Sequence, residues 1–268
     1  MLFKRLLTAA LLIPLVFLGT LNLNNDYFTL ALALIVALGA WEYCQLIQIK
    51  HTALKLAYSL LVALAAVFAG LCEEVLMPII TLSCVWWLFN IVWIALYPKY
   101  SCCWYSGWSV RLTNGFFIFV PMLSALAALQ RQNSELVLLL LVLIWSVDSG
   151  AFFIGRAIGK HKLSPRVSPR KTIEGAIGGI IAALGVMLLY VFVLTEGATS
   201  KQYLIYAFLA LLVAIASIVG DLFESLFKRI SNIKDSGNLL PGHGGIFDRI
   251  DSLTAAAPIF YLAYELLI

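Results

Sequence analysis

An all-α integral membrane protein that crosses the bilayer many times is the fold class this sequence predicts, and three observations predict it. Of its 268 residues, 62% are hydrophobic and the mean hydropathy is +0.97, far above the roughly 45–50% apolar content of soluble domains. Apolar stretches near or above the roughly 20 residues a helix needs to cross a bilayer recur along the whole length, joined by short polar connections that leave no room for a separate soluble domain. The period-two alternation of a barrel strand is absent. Lipid offers the backbone no partners, so each stretch should be helical.

Nine stretches carry this pattern, at about 6 to 21, 27 to 47, 54 to 71, 76 to 97, 112 to 129, 135 to 154, 173 to 194, 203 to 227 and 253 to 268. The first follows Met1-Leu-Phe-Lys-Arg5 and imitates a signal peptide, but no small-x-small cleavage site follows it, so it reads as an uncleaved first membrane helix. The second holds Glu42, an acid inside an apolar run, read as a carboxylate near the inner interface bonded to a neighbouring helix. Trp86, Trp87, Trp93, Trp104 and Trp108 read as interfacial belts. The five cysteines show no Cys-x-x-Cys spacing and read as small apolar residues.

Orientation follows from the basic residues. With the amino terminus cytoplasmic, only Arg131 and Lys201 of the 18 lysines and arginines fall outside. That is the inside bias of a membrane protein, and it explains the net charge of +4 without a nucleic-acid partner. Nine spans then leave the carboxyl terminus external, with Cys72 and the Cys102-Cys103 pair on opposite sides of the membrane.

The chemistry-bearing residues gather on the inner side. Asp148 lies at the end of the sixth stretch, where an unpaired aspartate costs a few kcal/mol and demands a partner. The loop from Gly155 to Gly175 carries Arg156, Lys160, Arg170 and Lys171 and has no acid before Glu174. Its bland reading is contact with anionic headgroups. Ser168-Pro-Arg-Lys-Thr172 within it reads as a fixed turn capping the seventh stretch, with hydroxyls and cations where a helix dipole favours anions.

Asp221, Glu224, Ser225 and Lys228 share one face of the eighth helix. Lys228 alone can pair with Glu224, but that does not account for Asp248 and Asp251 returning to the same side. Pro241-Gly-His-Gly-Gly245 is either a flexible turn or a set of backbone N–H groups brought close to a phosphate. His243 suits donation to a phosphate and bracing of an aspartate equally.

The run from Ser225 to Asp251 resembles the signature of the phosphatidate cytidylyltransferases, or CDP-diacylglycerol synthases. Ser225, Lys228, Arg229, Lys234, Asp235, Pro241, His243, Gly244, Gly245, Asp248, Arg249 and Asp251 occupy every place of that pattern. Asp148-Ser-Gly-Ala, Gly155-Arg-x-x-Gly-Lys160, Ser168-Pro-Arg-Lys-Thr172 and Glu174-Gly175 extend the likeness to roughly residues 145 to 252. Arg170 stands where the family's pattern has lysine, which keeps the charge but changes the contact.

The resemblance implies transfer of a cytidylyl group from CTP to phosphatidic acid, yielding CDP-diacylglycerol and pyrophosphate at the cytoplasmic ends of the C-terminal helices. It implies one or two Mg²⁺ ions on Asp221 and Asp248 with Asp148 and Asp251 behind them, and leaves room for a monovalent cation. Asp221, Lys228, Arg229, His243, Asp248, Arg249 and Asp251 would be catalytic. Asp148, Arg156, Lys160, Ser168, Arg170, Lys171, Thr172, Ser225, Lys234, Asp235, Gly244 and Gly245 would bind substrate. Residues 1–134 would be structural or dimerising and 135–268 would carry the catalytic loops, in a cell inner membrane with lipid and a second copy as neighbours. Preference for CTP comes from the resemblance alone.

Two competing readings stay open. Glu42, Asp148, Asp221 and Glu224 would form the path of a cation- or proton-coupled transporter, which predicts acids near mid-membrane and broken or repeated helices. Asp148 and Asp221 lie instead toward inner ends, and no repeat is evident. A CTP-dependent lipid kinase is the nearer competitor, separated by its products.

Overall fold

The computed structural model describes residues 2–99, 107–194, 197–233, 236–237, 239 and 244–268, with side chains from Ala10 onward. Among these residues nine helices follow one another: α1 (Leu2–Asn22), α2 (Asn25–Leu46), α3 (Thr52–Leu71), α4 (Glu73–Leu96), α5 (Trp108–Gln132), α6 (Ser134–Ile158), α7 (Ile173–Leu194), α8 (Ser200–Ile230) and α9 (Phe247–Leu267). Each expected stretch coincides with one of them. Seven, α2 to α8, are long and apolar enough to cross a membrane, so the chain is a polytopic membrane protein.

Short polar junctions stop one helix and start the next. The Asn24 side chain accepts from the Tyr27 N–H at 3.0 Å, Asn133 from Glu135 at 2.9 Å, and Thr199 and Gln202 form a reciprocal capping box. Side chain to backbone bonds then align the helix ends. Asn25 donates to the Ala127 carbonyl at 2.8 Å and Arg131 to that of Gly70 at 2.9 Å. At the opposite end Tyr43 donates to the Arg111 carbonyl at 2.7 Å and Tyr58 to that of Leu112 at 2.6 Å. α2 therefore runs opposite to α3 and α5.

α5 is the centre of the bundle, buried from Ile118 to Leu129 and packed against α2, α3 and α9. Large apolar side chains such as Leu64, Phe68, Leu88, Phe192 and Leu204 face outward, as lipid contact requires. Trp87 does not join an interfacial belt as expected. It is fully buried, with its ring 5.1 Å from that of Phe223 on α8 and edge-on to it, the arrangement that aromatic pairs prefer. Trp104 lies outside the described residues.

α6 and α7 pack backbone to backbone. A Cβ on Gly150 would stand 2.6 Å from the Gly178 carbonyl oxygen, and one on Gly179 2.7 Å from that of Val147. Small residues let membrane helices approach this closely. The contact holds Asp148 and the start of α7 in fixed register.

Candidate active site

The segment between α6 and α7 is a hairpin. β1 (Lys162–Ser164) and β2 (Ser168–Thr172) pair antiparallel, with Lys162 opposite Thr172 and Ser164 opposite Ser168. Ser168-Pro-Arg-Lys-Thr172 is thus a strand and not the turn expected of it. The turn is Pro165 to Val167, where proline fixes φ and the Val167 side chain is buried as an anchor. The capping role belongs to Thr172, whose hydroxyl oxygen accepts from the Gly175 N–H at 3.1 Å in the first turn of α7.

Glu174 closes the hairpin's base. Its carboxylate accepts from the backbone N–H of Lys160 at 3.1 Å and of His161 at 3.2 Å, and His161 Nδ1 lies 2.6 Å from it. Arg156 at the end of α6, Lys160 before β1 and Arg170 on β2 are exposed, and their side chains have no ion-pair partner among the described residues. They are three cations in the stretch of chain that leads into the positive end of α7.

The hairpin is fastened to α8 at two points. Arg229 Nε donates to the Val167 carbonyl at 3.0 Å, and Lys171 Nζ is ion-paired with Asp221 Oδ2. Asp221 also accepts from the Ser225 hydroxyl at 3.4 Å, one turn along α8. Gly220 explains how Asp221 meets α9: a Cβ there would stand 2.5 Å from the Asp251 carbonyl oxygen, so the two helices touch at this point. Asp148, Asp221 and Asp251 come close enough to act on one another's charge, with Lys171 among them and Arg249 beside Asp148.

A second cluster adjoins the first. Lys228 Nζ lies 2.5 Å from Glu224 one turn back and 2.5 Å from Asp248 at the start of α9. The i,i+4 pair read from spacing exists, but Lys228 does not serve Glu224 alone. Asp248 further accepts from the Gly245 N–H at 2.8 Å and from Ser236 N–H at 3.2 Å. Gly244 has φ +84, a left-handed conformation that glycine adopts freely. Lys234, Asp235, Pro241 and His243 lie outside the described residues.

Five carboxylates, of Asp148, Asp221, Glu224, Asp248 and Asp251, face three cations, Lys171, Lys228 and Arg249, across these clusters. Hard oxygen ligands of this kind suit a divalent ion such as Mg²⁺, but among the described residues no three of them stand together as a ligand set, and Asp221 and Asp248, the expected pair, are each taken up by a lysine, Lys171 and Lys228.

The residue that spacing did not assign is Glu42. It is buried at the end of α2, and its Oε2 accepts from the Phe247 N–H at 2.8 Å and from the Ser236 hydroxyl at 3.1 Å. As expected it is bonded to a neighbouring helix, at the first residue of α9, and it also holds Ser236 of the loop before that helix. An acid in an apolar run was the only signal for it in the sequence. Beside this region, α4, α8 and α9 enclose an apolar cleft of about 330 Å³ lined by Trp87, Phe208, Ile215, Val219, Ala255 and Ile259.

The cytidylyltransferase family profile matches residues 3–267. A phosphatidate cytidylyltransferase of Pseudomonas aeruginosa is 41% identical over 262 residues, covering 97% of this chain and 96% of that protein. One of Haemophilus influenzae is 34% identical over 286 residues, covering 98% and 99%, and one of Thermotoga maritima 33% identical over 266 residues, covering 98% and 96%. A helical membrane bundle with a cationic hairpin set against clustered carboxylates is the frame of a membrane-embedded nucleotidyltransferase. The chain belongs to the cytidylyltransferase family, and the likeness reaches well beyond residues 145 to 252 into the first five helices.

Proposed function

We propose that this protein transfers the cytidylyl group of CTP to phosphatidate, giving CDP-diacylglycerol and pyrophosphate. The observation that carries this reading is the ion pair between Lys171 of the basic hairpin and Asp221 of α8, which joins the hairpin's cations to the carboxylate clusters. A phosphate oxygen of the lipid attacks the α-phosphorus of CTP. The bond from that phosphorus to the oxygen bridging the α- and β-phosphates breaks, and pyrophosphate leaves with its electron pair.

The lipid phosphate is already an oxyanion, so no general base is needed, and positioning with charge neutralisation is the main task. Like charges about 4 Å apart repel by roughly 4 kcal/mol per unit pair at an effective dielectric near 20. Arg156, Lys160 and Arg170, with Lys171, Lys228, Arg229 and Arg249, offset that repulsion. Ser168, Thr172 and Gly244 would add hydroxyl and backbone donors, and Ser225 and Gly245, which donate to Asp221 and Asp248, would turn to substrate when those carboxylates are engaged. Lys234, Asp235 and His243 complete the set by their place in the signature.

A divalent ion held by Asp221 and Asp248, with Asp148 and Asp251 behind them, would replace Lys171 and Lys228 on those carboxylates, freeing both lysines for phosphate, and would neutralise charge on the CTP phosphates; a monovalent cation is a further candidate. The apolar cleft beside Val219, two residues from Asp221, suits an acyl chain of the lipid. In this reading the protein sits in the inner membrane with its amino terminus and active site cytoplasmic, its carboxyl terminus external, and a second copy meeting residues 1–134.

The test is direct. Purified protein in detergent with phosphatidic acid, CTP and Mg²⁺ should release pyrophosphate and form CDP-diacylglycerol. Equal use of ATP or GTP overturns the substrate, and release of CDP with a newly phosphorylated lipid makes it a lipid kinase.

A further inference from the structure

We propose that Glu42 of α2 is a positioning residue for the signature loop, clamping the loop's two ends together from the other half of the chain. The inference rests on the reading of Ser225 to Asp251 as the site of transfer.

Glu42 is 1% exposed in a helix that is otherwise apolar at this depth, a placement that is unfavourable for a carboxylate unless it is well bonded. Its bonds run to both ends of one loop. The Ser236 hydroxyl, at the near end, donates to Oε2 at 3.1 Å, and the Phe247 N–H, at the far end, donates to the same oxygen at 2.8 Å. Phe247 opens α9, whose own N-cap residue, Ile246, supplies no side-chain bond. Glu42 therefore caps α9 from another helix and sets a negative charge at the positive end of its dipole.

Asp248 repeats the clamp with backbone donors, accepting from Ser236 at 3.2 Å and Gly245 at 2.8 Å. The loop base is thus closed by two carboxylates that share Ser236, and the second of them holds Lys228. A Cβ at Gly237 or at Gly245 would collide with the Glu42 carboxylate, so the chain passes here too close for any side chain. The remaining oxygen, Oε1, is buried without a hydrogen-bond partner among the described residues. Glu42 thus ties α2 to the first residue of α9 and, through the same oxygen, to Ser236 of the loop that leads into it.

The test compares Glu42→Leu, Glu42→Gln and Glu42→Asp, each measured per folded molecule, with CTP varied at saturating phosphatidate. Losing both bonds should lower kcat/KM for CTP about tenfold or more in the leucine variant. The amide oxygen of glutamine still accepts both bonds and should restore kcat/KM to within about threefold of wild type, while aspartate, one methylene short, should stay low. Should the leucine variant not fold, the gap between glutamine and aspartate decides.

Leucine at wild-type kcat/KM, glutamine no better than aspartate, or a loss wholly explained by fewer folded molecules overturns the proposal. Asp248→Asn is assayed alongside. If both turn over normally, the role of Glu42 fails together with the assignment of Asp248 to the site; if Asp248→Asn is inactive while Glu42→Leu is normal, only the role of Glu42 fails.

Discussion

Lys171 Nζ pairs with Asp221 Oδ2, tying the last strand of the basic hairpin to the last turns of α8. The pair lets the cation-rich connection between α6 and α7 act on the same space as the carboxylates of α8 and α9. Removing charge from either side tests whether that space is where phosphates meet.

Neutralising Arg170 and Lys171 together should reduce kcat/KM at least tenfold, since hydrogen bonds between charged groups contribute roughly 1.5–3 kcal/mol each. Neutralising Lys50 and Lys55 should change it little. Lys50 is exposed and Lys55 lies over the Trp41 ring, away from the hairpin. Steady-state rates of the two double variants decide, and equal small effects would reduce the hairpin to an orienting loop.

Asp221→Asn and Asp248→Asn should each abolish turnover in protein that remains folded and membrane-inserted, and combining them should be scarcely worse than either alone. EDTA should silence the wild type and Mg²⁺ restore it. Near-normal turnover of either variant at saturating Mg²⁺ would move the metal assignment to Asp235 and Asp251.

Glu224→Gln should be milder. Lys228 keeps Asp248 at 2.5 Å when Glu224 loses its charge, so the cation stays in place. A turnover loss as complete as that of Asp248→Asn would give Glu224 a direct part in the chemistry.

Gly220→Ala should destabilise by about 1–3 kcal/mol, because the added Cβ meets backbone and not a movable side chain. Thermal unfolding in detergent should shift down, and activity per folded molecule should fall with it as Asp221 and Asp251 are forced apart. An unchanged unfolding midpoint would show that α8 and α9 yield easily here.

In intact cells a membrane-impermeant maleimide should modify Cys72 and spare Cys102 and Cys103. Labelling of the Cys102-Cys103 pair with Cys72 untouched would reverse the orientation.

The sequence by itself determined the helices, seven of them long and apolar enough to cross a membrane, because a span needs only apolar length and intrahelical hydrogen bonds, both properties of a local stretch. It also determined the family, because the spacing from Ser225 to Asp251 is local as well. Only the tertiary structure decided which helices bring the clusters together. The approach of Gly220 to the Asp251 backbone, the burial of Trp87 against Phe223, and the bonds from Glu42 to Ser236 and Phe247 all depend on partners far away in the chain. So did the place of the hairpin turn at Pro165 to Val167, since the burial of Val167 and its bond to Arg229 set where the chain reverses. Periodicity says which face of a helix is apolar, but a buried acid takes its meaning from whatever donors the packed bundle sets against it.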